Sequence, residues 1–439
     1  MRRLVVKLSL VAVLCLVTAA SLYGAARKKA ETKKMPSLPE DLEVLAGDPA
    51  LLVKPEGLEV ASYVFPNYCA TALHDRIYGP GWTEYGLVRG ARPWFEGHAQ
   101  PRTPLLGELD ESLPSTWEIY NRLCKQSGVD VLIWDWYWYG GKPCLHEALE
   151  NGFLESRNRD DVKFCCMWTN HDWYVLYPTM KTDGSNAGAP SFLAPDLSYE
   201  EALRSMTYII TRYFNQPNYW KIGGKPVICI WDAGRLERKL GLDGVQKLFG
   251  ELRAFAVKLG YPGIHFHIVG FTSSHNVEAG YDSSGSYNPM NWIAGRDFPS
   301  DVLFPDYGEV AADVAFNVWD EEYKRHGTPF VPAVGAGWDS TPRYICSGKK
   351  GDVPDRNKWP GVNILANENP ASFKAFVQAS FWYLNRHPEV PRFVTIACFN
   401  EWSEGHYLLP DNRFGYGMLD ALGEAVGKDN PHLHHGGTE

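Results

Sequence analysis

The residues best placed to do chemistry stand at 392–411, RFVTIACFNEWSEGHYLLPD, where Glu401 and Glu404 lie three residues apart around Trp402. Residues 393–399 form a β-branched and aromatic run of the kind that makes a buried strand. The two carboxylates follow where that strand runs out. Asp and Glu are seldom buried unless paired or put to use. A carboxylate pair beside an aromatic is what glycosidic cleavage needs: one group protonates the leaving oxygen, and the other is base, nucleophile or charge stabiliser. The indole offers a sugar ring an apolar face and can raise a neighbouring acid's pKa by desolvation. An isolated Glu-x-x-Glu fits a solvated loop with a core Trp better. The Asn400–Glu401 step at a strand's carboxyl end, flanked by aromatics, favours the catalytic reading.

Elements that would position this pair alternate along the chain. Strands are expected at 58–65, 129–138, 163–169, 226–231, 264–271, 281–287, 330–334 and 393–399, and helices at 113–127, 199–213, 242–259, 310–326 and 370–386. Strands that read as continuous apolar runs belong to a parallel sheet covered on both faces. The fold class that fits is α/β, a (β/α)8 TIM-type barrel over residues 58–428 forming a single catalytic domain. A doubly wound sheet is the alternative, but no G-x-G-x-x-G or P-loop follows any strand.

Barrel enzymes work at the carboxyl ends of their strands, and those ends carry a consistent set of residues. They are Tyr68; Asp135, Trp136, Tyr137, Trp138 and Lys142; Trp168, Asn170, His171 and Trp173; Trp338 and Asp339; and Asn400 with Trp402. Aromatic faces stack on sugar C–H surfaces while amides, carboxylates and imidazoles bond hydroxyls, so the expected partner is a carbohydrate. Strand alternation sends about half of the tryptophans around Asp135 to the helix side. His98 and Arg102 fit loop-pinning as well as substrate contact, and His265 and His267 fit the core. His171 and Asp172 point to opposite faces of a strand, against a metal site there. No cofactor or metal is expected.

Composition narrows the class further. The 439 residues carry a net charge of −9, against the basic face of a nucleic-acid binder, and sixteen Trp and twenty-three Tyr. Residues 1–30 read as an export signal: Arg2, Arg3 and Lys7, an uncharged stretch over 8–26, and small-residue cleavage sites at 18–20 and 24–26. An uncleaved membrane anchor is the alternative, since nineteen uncharged residues before Arg27 could just span. Residues 31–57 read as a tether and 429–439 as a frayed tail. Cys165, Cys166, Cys229 and Cys398 lie in apolar runs and are expected as free thiols. Cys69, Cys124, Cys144 and Cys346 could pair in an oxidising compartment. The expected product is an exported monomer.

Five segments in order resemble the glycoside hydrolase family 99-like group, also called the WbsX-like domain. They are Gly81-Trp82-Thr83-Glu84-Tyr85; Gly97-His98-Ala99-Gln100-Pro101-Arg102 with Pro104-Leu105-Leu106-Gly107; Tyr137-Trp138-Tyr139-Gly140-Gly141-Lys142; Gly337-Trp338-Asp339-Ser340-Thr341-Pro342-Arg343; and Asn400-Glu401-Trp402-Ser403-Glu404-Gly405 with Pro410-Asp411. The resemblance covers roughly residues 60–420 and implies a (β/α)8 barrel related to endo-acting α-mannosidases and mannanases. It implies Glu401 as the base toward the sugar 2-hydroxyl, closing a 1,2-anhydro sugar. Glu404 is implied as the general acid/base, with overall retention. Two departures bear on the substrate. His171 stands where the group usually has Glu, and residues 281–287 lack its acidic-aromatic-proline pattern. A glycosyltransferase or transglycosylase and a non-catalytic glycan-binding protein are the competing functions. The first would need phosphate-binding elements that the sequence lacks, and the second predicts loss of one glutamate.

Overall fold

A computed structural model describes residues 38, 42–94, 96–174, 191–292, 305–343 and 364–428. The expected leader, the tail and Cys346 lie outside the described residues. Among those described, no helix is long and apolar enough to cross a membrane.

Eight parallel strands form the barrel: β1 Glu59–Val64, β2 Val131–Tyr139, β3 Lys163–Trp168, β4 Lys225–Asp232, β5 His265–Phe271, β6 Ser283–Gly285, β7 Ala333–Gly335 and β8 Phe393–Ala397. They pair in the order β6-β5-β4-β3-β2-β1-β8-β7. A parallel bridge from Ser284 to Phe330, just before β7, closes the ring. The last two expected strands before β8 are shorter than the sequence pattern suggests: only Ser283–Gly285 and Ala333–Gly335 run as strands, and Phe330 joins the ladder through a single bridge.

Six principal helices cover the outside: α1 Pro114–Ser127, α2 Tyr199–Tyr213, α3 Ala233–Lys258, α4 Tyr307–His326 with a π turn at Val314–Val318, α5 Pro370–Arg386 and α6 Gly417–Val426. Their ends obey local chemistry. Ser198 caps α2 by accepting from the Glu201 amide, and Asn369 caps α5 by accepting from Ser372, with Pro370 in the first turn. The pattern predicts a helix only from 242, whereas α3 begins at Ala233, capped by Asp232, and bends at Gly241, whose φ is 72°. The apolar repeat is visible only beyond that bend. Residues 42–53, expected as tether, form two short helical turns held on α5. The Trp382 indole donates to the Ala46 carbonyl at 3.1 Å, and Asn385 donates to Leu51 and Val53.

Strand β2 is buried along its whole length, and its parity sorts the site. Trp134 packs on Trp117 of α1 at 4.7 Å, and Trp136 donates to the Tyr213 hydroxyl of α2. The even positions therefore face the helices. Ile133, Asp135 and Tyr137 face the lumen, where Tyr63 is in register with Ile133. The interior also holds Cys165 and Cys229, whose sulfurs lie 3.9 Å apart. All seven cysteines of the described residues are free thiols, so none of the three described candidates for pairing is bridged.

Candidate active site

Beyond β8 the chain turns sharply back on itself. Asn400–Glu401 pairs antiparallel with His406–Tyr407 around a 3-10 turn at Trp402–Glu404, which sets Glu401 directly opposite His406. Gly405 makes the turn possible. Its φ is 66°, and a Cβ there would meet Asp339 at 2.9 Å. Asn400 fastens the strand end: its side chain accepts from the Phe65 amide, and donates to the Phe65 carbonyl and to Glu111, each at 2.9 Å. The Tyr68 hydroxyl accepts from the Ser403 amide at 3.1 Å.

Arg343 lies at the centre. Its guanidinium donates to Glu401 at 2.8 Å, to Glu84 at 3.0 Å and to Glu404, and its Nε donates to Ser403 at 2.9 Å. Ser403 in turn donates to Glu84, which also accepts from Asn67. Three carboxylates thus share one buried cation, so the cluster must retain protons. Burial pushes Glu401 well above the ordinary carboxylate range, and repulsion from Glu404 adds to this against the pull of Arg343. Burial acts on Glu404 in the same direction, but Arg343 and the 2.9 Å bond to His406 outweigh it and leave Glu404 lowered. Asp135, across the lumen, is raised by burial; the Tyr287 hydroxyl bonds it at 3.2 Å and lies 3.5 Å from Glu401. The two environments thus favour the proton on Glu401 and the charge on Glu404. That is the reverse of the distribution that an acid at Glu404 requires at the start of turnover.

A band of rings rises over this cluster. Trp173 stacks 6.3 Å from Phe65 and meets the edge of Tyr137 at 4.9 Å. Tyr137 touches His171, His171 touches Trp231, and Trp231 touches Tyr287 at 5.1 Å. Tyr287 and Trp338 both meet His406, at 6.0 and 5.1 Å. His171 donates from Nδ1 to the Asp172 carbonyl, and burial keeps the ring neutral, so its Nε2 is an acceptor. Asp172 turns away to pair with Arg235 at 2.7 Å.

The structure brings together Tyr137, His171, Trp173 and Trp338 with Glu401, Glu404 and Asp135, and it places Tyr68 beneath the turn. Eight other expected lining residues lie elsewhere. Trp136 and Trp138 face α2, and Trp168 is in register with Trp136 on the same side. Trp402 is buried against Tyr407 at 4.0 Å, so the indole beside the carboxylates is core. Asn170 clamps the ends of β3 and β4 through the Asp232 backbone, and Asn400 is spent on Phe65 and Glu111. Lys142 is exposed at the tip of a hairpin after β2. Asp339 gives one oxygen to His98 and Gln100, at 2.9 and 2.7 Å, and the other to the backbone and hydroxyl of Thr341. Its amide also donates to the Glu404 carbonyl at 2.7 Å. Asp339 pins a loop onto the turn that carries the two glutamates, and His98 holds Asp339 there. Arg343, Glu84, His406, Tyr287 and Phe65 were not in the expected site. Arg343 and Glu84 lay inside the quoted motifs, and their charge was the available signal.

Comparison with known proteins agrees with this architecture. The chain is 25% identical over 380 residues to the uncharacterized protein WxcX from two strains of Xanthomonas campestris pv. campestris, an overlap of 84% of this chain and 49% of theirs. It therefore spans about half the length of the curated relatives it matches. Among solved structures, a glycoside hydrolase-like protein superposes with a TM-score of 0.54 at 14% identity, covering 90% of this chain and 97% of that one. The GH99 endo-alpha-mannosidase from Bacteroides thetaiotaomicron gives 0.49 at 16% identity, over 84% and 95%. The family described as Glycosyltransferase WbsX matches residues 60–422, nearly the whole barrel, and the chain belongs to that family.

Proposed function

We propose that the protein is an exported glycoside hydrolase, retaining and endo-acting, on a poly- or oligosaccharide. The observation that carries this reading is the Glu401–Glu404 pair held on one guanidinium under a wall of aromatic rings at the barrel mouth. The neutral rings supply stacking faces, and His171 and Asp135 supply hydroxyl partners. A sugar entering over Glu404 displaces Arg343 from it. The proton held by Glu401 then passes to Glu404 within the span of the guanidinium. Glu401, now ionised, takes the 2-hydroxyl proton as O2 closes on the anomeric carbon, while Glu404 protonates the departing oxygen. Water then gives its proton to Glu404 and attacks the anomeric carbon, the C1–O2 bond of the 1,2-anhydro sugar breaks, and Glu401 returns its proton to O2, so two inversions give retention. The leader at residues 1–30 supports export.

The family's description favours a second reading, a glycosyltransferase. Product release from α-mannans, other polysaccharides and N-glycans, with wild type, Glu401→Gln and Glu404→Gln, tests both. Oligosaccharides from wild type alone are expected. Products that form only when a nucleotide-sugar donor is added would put the transferase first. Binding without turnover would make this a glycan-binding protein.

A further inference from the structure

Beneath the carboxylates, the tight β8 turn brings together three groups that the proposed hydrolysis does not use as a set. The Cys398 sulfur, a Glu401 oxygen and a His406 ring nitrogen lie within 4.8 Å of one another, and all three residues are buried. Their order, Cys-x2-Glu-x4-His, matches no common metal spacing, and cross-strand pairing of Glu401 with His406 is what assembles them.

The second observation is the state of His406. Its Nε2 bonds the Glu404 carboxylate at 2.9 Å, and a carboxylate can only accept, so Nε2 carries the hydrogen. That leaves a lone pair on Nδ1. This buried nitrogen has no hydrogen-bond partner, the Ala397 carbonyl beside it lying outside good geometry. A histidine whose far nitrogen donates to a carboxylate is how proteins orient a ring for metal binding. Glu401 fits the same role: one oxygen is taken by Arg343, and the other has only the Tyr287 hydroxyl at 3.5 Å.

We propose that Cys398, Glu401 and His406 form a binding site for a soft divalent cation of the zinc type. Thiolate, imidazole and carboxylate together are a zinc donor set, with the fourth position left to water. Tetrahedral zinc with bonds of about 2.0–2.3 Å holds its ligand atoms about 3.3–3.8 Å apart, so a contraction of about 1 Å completes the site. Binding releases two protons, that of the Cys398 thiol and that held by the Glu401 carboxyl. The consequence, which rests on the hydrolase reading, is inhibition: a cation on Glu401 removes it from proton transfer.

The full chain titrated with cobalt(II) tests the site without any substrate. Wild type is expected to take up one equivalent with thiolate-to-cobalt charge-transfer absorption, bleached by zinc. Cys398→Ser is expected to lose that absorption, and His406→Gln, which keeps a donor toward Glu404, to weaken binding at least roughly tenfold. Cys69→Ser, a buried thiol elsewhere, should change nothing. A wild type without the thiolate band, or an equal band in Cys398→Ser with native circular dichroism, would overturn the proposal. If cobalt binds as expected and the metal-free protein cleaves no glycan, the hydrolase reading fails and the metal site stands.

Discussion

Glu111 offers the sharpest test of how the site is held. Its carboxyl is wholly buried, accepts from Asn400 at 2.9 Å, and leaves its second oxygen without a partner. Burial raises its pKa from 4.5 to about 8, with the Asn400 bond opposing. A folded pKa above the unfolded one means that the folded state binds more protons, so stability falls as pH rises from about 4.5 to about 8. At 1.36 kcal/mol per pH unit, the penalty is roughly 3 kcal/mol at pH 7 and under about 1 kcal/mol at pH 5. Glu111→Gln removes the titration and keeps an oxygen for Asn400. Urea unfolding of both proteins from pH 5 to 8 should show the variant gaining on wild type by roughly 2–3 kcal/mol between pH 5 and 7. Glycan cleavage at pH 5 should survive, because Asn400 stays fastened. A stability difference that does not change with pH would show that Glu111 is ionised in the fold and that this account of the barrel end is wrong.

Three further outcomes follow from the geometry. Activity should be bell-shaped in pH, lost in acid as Glu404 is protonated below the ordinary carboxylate range and lost in alkali as Glu401 ionises well above it; either glutamine variant should cost about 10²-fold or more in kcat. Trp173→Ala should raise KM with little change in stability, whereas Trp402→Ala should cost about 3–5 kcal/mol of stability, because the first indole lines the opening and the second is core. Asp339→Asn should destabilise by roughly 1.5–3 kcal/mol and depress turnover, read by thermal melting and kcat. Burial raises the Asp339 pKa, but His98 and Arg102 outweigh this and hold it lowered; that stabilisation is present above the ordinary carboxylate range and fades as pH falls below it. The gap between wild type and Asp339→Asn should therefore close in acid.

Much of this protein is legible in its local chemistry. The eight strands follow from short continuous apolar runs, and the helices α2 and α5 from period-3.6 patterning with caps that neighbouring residues supply, because those forces act within a few residues. The Glu401–Glu404 pair is legible for the same reason: both carboxylates sit on one turn. What tertiary structure decided is which face looks inward and who meets across the barrel. In β2 the alternation of Trp134, Asp135 and Trp136 is plain, but only the packing of Trp134 on α1 sends the tryptophans out and Asp135 in. The same limit turned Trp402 from a sugar platform into core. Arg343 and Glu84 stand 58 and 317 residues from Glu401 along the chain, counting 401 − 343 and 401 − 84. Asp339 looks like a sugar ligand until His98 and Gln100 arrive to occupy it. Burial and long-range charge set the protonation of the site, and neither exists until the barrel closes.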